Sequence, residues 1–136
     1  MPFVVDASVT LAWCFEDEAT PQTEAILDRL SDDAAVVPSL WELEVSNVLL
    51  AGERRGRLTE SQSARFVALL AQLPILVYTA SVDMGAVLAA GRHNALTAYD
   101  AAYLVLAERE GVPLATLDAR LRAAAHAVGV AVIPET

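Results

Sequence analysis

Asp6, Glu44, Asp100 and Asp118 are acids in settings that carry chemistry. Glu44 lies among Leu43, Val45, Val48 and Leu49, and Asp100 among Ala98, Tyr99, Ala101 and Tyr103. A carboxylate in apolar surroundings is costly unless it is paired, and the chain contains no lysine to pair it. A hard cation held by oxygen ligands would remove that cost. Each acid also has a plainer reading. Asp100 and Asp118 suit helix caps, Asp6 could begin a turn after a strand, and Glu44 could be surface charge. Jointly the plain readings strain, because polar partners gather at the same places. Ser8 follows Asp6 by two residues, Asn47 follows Glu44 by one turn, and Thr97 and Thr116 precede Asp100 and Asp118. Hydroxyls and amides so placed orient metal ligands.

Other catalytic layouts are missing. There is no glycine-rich phosphate loop and no Gly-x-Ser-x-Gly nucleophile elbow. His93 and His126 lack ligand spacing and read as surface or cap residues. Cys14, the single cysteine, can close no intramolecular disulfide and builds no thiolate cluster. Between Trp13 and Phe15 it reads as core.

The elements that must position the acids alternate between short β-rich and longer helical runs, the pattern of an α/β fold with a parallel sheet. Strands are expected at Phe3–Val5, Ala34–Val37, Ile75–Tyr78, Pro113–Thr116 and Val130–Ile133. Helices are expected over about Ala7–Phe15, Pro21–Leu30 with Thr20 as cap, Leu40–Arg55, Thr59–Leu73, Val82–Arg92, Thr97 to Gly111, and Asp118–Ala127. Thr59 to Gln62 and Thr97 to Asp100 both match a capping box. The expected architecture is a three-layer α/β/α sandwich around a parallel sheet of four to five strands. Asp6 ends the first strand, Asp100 lies in the first turn of its helix, and Asp118 begins a helix just past the fourth strand. Ligands in such folds gather outside the carboxyl ends of the strands, so these acids can face one crevice, and Glu44 can reach its rim.

Length and composition set bounds. The 136 residues fit one domain, 1–136. The N-terminus has no basic region and reaches an acid almost at once, and no uncharged apolar run is long enough for a membrane helix. A cytoplasmic protein is expected. The net charge is −9, with every cation an arginine or the N-terminus. An acidic chain argues against broad phosphate binding, unless some of its acids are ligands whose charge a cation offsets. Arg54, Arg55 and Arg57 are either a local basic patch that could meet phosphates or an ordinary solvated helix end. The segment Val82–Ala90 is apolar on more than one face, which predicts self-association into a homodimer or higher oligomer.

Taken together, several stretches resemble the PIN-domain ribonucleases, specifically the toxins of VapBC-type toxin–antitoxin pairs. They are Val4-Val5-Asp6-Ala7-Ser8, then Pro38 with Trp41-Glu42-Leu43-Glu44-Val45-Ser46-Asn47, then Leu96-Thr97-Ala98-Tyr99-Asp100-Ala101-Ala102-Tyr103-Leu104, and Leu114-Ala115-Thr116-Leu117-Asp118. They occur in the family's order and cover the chain from end to end. The resemblance implies that Asp6, Glu44, Asp100 and Asp118 are the metal-binding and catalytic acids of an Mg²⁺- or Mn²⁺-dependent endoribonuclease. Ser8, Asn47 and Thr116 are then their polar neighbours. It implies a toxin that inhibits translation by hydrolysing RNA, and an antitoxin protein that blocks the crevice. A shallow rim with few aromatics suits tRNA or other single-stranded or loop RNA better than a duplex. The competing reading is a non-catalytic PIN-like domain whose acidic crevice accepts a basic protein segment. An acid-pocket phosphatase is disfavoured because it needs a nearby lysine.

Overall fold

The structure is a computed structural model that describes residues 1–135. In chain order the elements are β1 (Phe3–Val5), α1 (Ala7–Ala12), a 3₁₀ turn (Glu16–Glu18), α2 (Pro21–Arg29), β2 (Ala35–Pro38), α3 (Leu40–Arg54), α4 (Glu60–Gln72), β3 (Ile75–Tyr78), α5 (Met84–Asn94), α6 (Ala98–Glu110), β4 (Leu114–Ala115), α7 (Ala119–Ala127) and β5 (Val132–Ile133). The strands form one parallel sheet in the order β3-β2-β1-β4-β5. With helices flanking it, this is the expected three-layer α/β/α sandwich.

That strand order fixes where a site can form. The chain lays β2 and β3 on one side of β1, then crosses over to add β4 and β5 on the other. The crossover leaves a crevice between the carboxyl ends of β1 and β4. In the β1–β4 register Val4 faces Leu114 and Val5 faces Ala115. Asp6 and Thr116, the next residue of each strand, therefore emerge side by side. The strands beneath them are anchored because Phe3, Val4, Val5, Leu114 and Ala115 are all fully buried. Such apolar runs are expected of central parallel strands covered on both faces.

Local chemistry sets the helix starts. Thr20 and Thr23 form a reciprocal capping box at α2, with Pro21 in the first turn, and Thr59 and Gln62 form the expected box at α4. The box expected at Thr97 is only half made. The Thr97 hydroxyl accepts the Asp100 N–H, but the Thr97 N–H does not donate in return to the Asp100 carboxylate. The carboxylate is thus not consumed in capping.

Several boundaries differ from expectation. α1 stops at Ala12 rather than Phe15: Trp13 is its C-cap, and the backbone is extended by Phe15; the Trp13 indole donates to the Thr23 carbonyl. Cys14 consequently lies outside the helix, half-buried against the core. α5 begins at Met84 because Asp83 caps it. β4 and β5 are two residues each, yet ladder bonds from Leu114 N–H to the Ala131 carbonyl and from Thr116 N–H to the Ile133 carbonyl extend the pairing. α3 has more solvent face than its sequence suggested, since Glu42, Leu43, Ser46, Asn47 and Leu50 are exposed. Among the described residues no helix is long and apolar enough to cross a membrane.

Candidate active site

Asp6 is the first residue past β1 and the N-cap of α1. Its Oδ1 accepts the Val9 N–H at 3.2 Å and the Ser8 hydroxyl at 2.6 Å, and its Oδ2 accepts the Thr116 hydroxyl at 2.5 Å. Both hydroxyls are themselves oriented by the loop after β4. Ser8 Oγ accepts the Leu117 N–H and Thr116 Oγ1 accepts the Asp118 N–H, each at 3.0 Å. A hydroxyl that accepts from a fixed backbone N–H has its proton left to aim elsewhere, and here both protons aim at Asp6. The carboxylate is 5% exposed, so its orientation is closely held.

α3 is tied to the same point by a second relay. The Trp41 indole donates to Thr10 Oγ1 at 3.0 Å, and the Thr10 hydroxyl donates to the Asp6 carbonyl at 2.8 Å. One turn beyond Trp41, the half-buried Glu44 accepts the Tyr103 hydroxyl on Oε1 at 2.5 Å. Tyr103 lies one turn beyond Asp100 on α6, on the same face. Asp118 caps α7, its Oδ1 accepting the Leu121 N–H at 3.0 Å, and remains exposed.

The acids repel one another. Burial pushes the Asp6 carboxyl from 3.8 up to about 6; Ser8, Thr116 and the Val9 N–H oppose this, and Asp100 adds to it. Burial also raises Glu44, against the Tyr103 hydrogen bond, and Asp100 raises it further. Asp100 is raised by burial and by Asp118, with Thr97 opposing. The Tyr103 phenol is held well above its ordinary value by burial, by Glu44, and by the charges of Asp6 and Asp100. Asp100 is the common member of these couplings: its charge reaches Asp6 and Glu44, and that of Asp118 reaches it. None of them enters an ion pair among the described residues.

The donor chemistry fits a hard divalent cation: anionic oxygens, no salt bridge to any of the four acids among the described residues, and one Glu44 and one Asp118 oxygen without a protein donor. The oxygens are nevertheless directed into caps and hydroxyl contacts, and among the described residues no three acids, histidines or cysteines already converge as a ligand set.

Of the other residues expected here, Ser8 and Thr116 clamp Asp6, and Thr97 caps the helix that carries Asp100. Asn47 is not brought in; it is exposed and bonds to none of the acids. Arg57 is engaged elsewhere, bonded to Asp17 at 3.0 Å and Glu18 at 3.4 Å, with its guanidinium 4.1 Å from the Phe15 ring centre. Arg54 and Arg55 are exposed at the end of α3. Sequence reasoning missed Tyr103, Thr10 and Trp41. The available signal was spacing, since Tyr103 is three residues after Asp100 and Trp41 three before Glu44.

The PIN domain family profile matches residues 3–127. The chain is 31% identical over 123 residues to Ribonuclease VapC3 of Pyrobaculum aerophilum, covering 89% of this chain and 92% of that protein. It is 32% identical over 129 residues to Ribonuclease VapC3 of Mycobacterium tuberculosis, covering 93% and 91% respectively. Two solved structures share its fold. PAE2754 from Pyrobaculum aerophilum superposes with a TM-score of 0.72 at 23% identity, over 91% of this chain and 84% of that one. FitAcB from Neisseria gonorrhoeae superposes at 0.58 and 20% identity, over 99% and 98%. A parallel sheet with acids at its β1–β4 crossover, a family match across nearly the whole chain, and relatives above 30% identity agree: this chain belongs to the PIN-domain family, among the VapC-type proteins.

Proposed function

We propose that this chain is an Mg²⁺- or Mn²⁺-dependent endoribonuclease, the toxin of a toxin–antitoxin pair, which inhibits translation by hydrolysing RNA. The observation that carries the reading is the Asp6 carboxylate, buried where β1 and β4 part and clamped there by the Ser8 and Thr116 hydroxyls, in a chain that the PIN family matches over residues 3–127. Asp6, Glu44, Asp100 and Asp118 would hold the cation. When bound, it supplies Lewis acidity toward a phosphodiester and makes water a better nucleophile at neutral pH. The protein's part is positional. Ser8 and Thr116 hold Asp6 still, the Thr10–Trp41 relay sets α3 against α1, and Asp118 marks the edge open to substrate. A carboxylate not committed to metal takes the water's proton as the new phosphorus–oxygen bond forms, and the ribose oxygen whose bond to phosphorus breaks leaves with a proton from solvent.

The surroundings suit an RNA strand and a protein partner. Leu43, Tyr99 and Leu117 adjoin Glu44, Asp100 and Asp118, and are 75%, 64% and 42% exposed. Tyr99 offers a face on which an unpaired base of a tRNA loop or other single strand can stack. The same mix of acid and apolar surface suits a basic, amphipathic antitoxin segment. Val82, Met84 and Leu88 are exposed around α5 and support a homodimer. In the test, the free protein is incubated with total RNA and Mg²⁺ or Mn²⁺. Cleavage that a chelator stops and a co-expressed antitoxin suppresses is expected. Intact RNA under all these conditions would favour the non-catalytic domain that accepts a basic protein segment.

Arg54 and Arg55 stand ten and eleven residues from Glu44 along and just past α3, about 15 Å at 1.5 Å per residue, a distance that suits phosphates further along the strand. Arg54→Gln with Arg55→Gln is expected to weaken RNA binding and flatten its salt dependence by roughly 0.7 in log–log slope per lost contact. Arg57→Gln is expected to lower stability instead, through loss of its Asp17, Glu18 and Phe15 contacts. Affinity measured across a salt series checks this. An unchanged slope in the double variant returns Arg54 and Arg55 to a solvated helix end.

A further inference from the structure

We propose that Tyr103 is a positioning residue: its buried hydroxyl fixes the Glu44 carboxylate so that the remaining oxygen faces the other acids. The proposal rests on the metal-dependent nuclease reading of this site. Glu44 is the one of the four acids delivered by α3; Asp6 and Asp118 follow the carboxyl ends of β1 and β4, and Asp100 comes from α6. A glutamate side chain has three rotatable bonds, and its placement needs an anchor. Among the described residues the only hydrogen bond between α3 and α6 is Tyr103 Oη to Glu44 Oε1, at 2.5 Å. The Tyr103 side chain is 1% exposed and pivots on two torsions only, so the phenol is a rigid strut. It donates its one proton to Oε1, and Oε2 takes no donor from the protein. An ordinary satisfied core tyrosine would be hydrogen-bonded too, but its partner would usually be a backbone group with no further task. Here the partner is a candidate ligand, and the strut rises from the helix that carries Asp100, one turn away.

The test is a double-substitution cycle read by calorimetric titration with Mn²⁺ alone and by steady-state RNA cleavage. Phenylalanine fills the same space, and the half-buried Glu44 can take water in place of the phenol, so Tyr103→Phe is expected to fold. It should weaken Mn²⁺ binding by roughly tenfold or more, within the range for groups that orient ligands. It should lower kcat while leaving KM for RNA unchanged. In a Glu44→Ala background the same substitution should change Mn²⁺ affinity no further, because Tyr103 acts only through Glu44. Wild-type affinity in Tyr103→Phe, or effects of the two substitutions that multiply, would overturn the proposal alone. No Mn²⁺ binding by the wild-type protein would overturn the nuclease reading and the proposal with it. If Tyr103→Phe does not fold, Glu44→Asp withdraws the carboxylate from the phenol and leaves Tyr103 in place. Loss of Mn²⁺ affinity as large as in Glu44→Ala is then expected, and retention of wild-type affinity contradicts it.

Discussion

Asp6→Asn and Asp100→Asn are each expected to reduce RNA cleavage by roughly 10²–10³-fold or more, the scale of removing one preorganised charge-stabilising group, with the fold intact. The fold should survive Asp6→Asn because an asparagine Oδ1 still accepts the Val9 N–H and the Ser8 hydroxyl that Asp6 now accepts. Its amide can donate to Thr116 Oγ1, where the carboxylate now receives a bond. Asp100 makes no backbone cap to lose, since the Thr97 hydroxyl performs that capping. What changes in both variants is charge. Glu44→Gln and Asp118→Asn should lose activity for the same reason. Ser8→Ala and Thr116→Val, which free the Asp6 carboxylate without discharging it, should cost less, about 10–100-fold. Initial rates on one RNA, with circular dichroism as the control for folding, check the series. Full activity in Asp6→Asn or Asp100→Asn would remove these acids from the chemistry.

Without divalent metal, the protein should be most stable at mildly acidic pH and lose stability towards neutrality. The Asp6 carboxyl rises from 3.8 when unfolded to about 6 when folded. Between those values the folded state binds more protons than the unfolded one, so stability falls as pH rises. The contribution is fully present below about pH 4 and is lost as pH passes through about 6. At 1.36 kcal/mol per unit, this buried group alone accounts for about 3 kcal/mol, or on the order of 10 °C in melting temperature for a chain of this size. Glu44 and Asp100 are raised as well and act in the same direction. Asp100→Asn removes the charge shared by these couplings, so this variant should melt above wild type at neutral pH in chelator and show a shallower pH dependence. A flat melting profile for wild type between pH 4 and 7.5 would mean that the acids are solvated separately.

Much of this arrangement could be read from the residues. The run Phe3–Val5 ending in an acid, Thr59 with Gln62, and Asp118 before a helix each state their conformation locally, and the alternation of strands and helices implies the parallel sheet. Strand ends and helix starts share one side of such a sheet, which is why the four acids are expected to face one crevice. Other features depend on packing between distant segments. The docking of the Trp13 indole needs the Thr23 carbonyl, ten residues on, to receive it. The engagement of Arg57 needs Phe15 and Asp17, some forty residues away in sequence. The Tyr103–Glu44 bond spans 59 residues, and nothing beside either residue announces it. Asn47 was misplaced because helical spacing says which side chains can meet, and the neighbouring elements decide whether they do.

The central claim is that Asp6, Glu44, Asp100 and Asp118 form one cation site, and its most direct test is the thermal melt of wild type and Asp100→Asn at pH 7.5, each in chelator and in excess Mn²⁺. A ligand bound only by the native state adds stability by mass action. Wild type should therefore melt clearly higher with Mn²⁺ than with chelator. Asp100→Asn should begin higher in chelator and gain much less from the metal. Coincident melts of wild type with and without Mn²⁺, or an equal gain in both proteins, would contradict the claim.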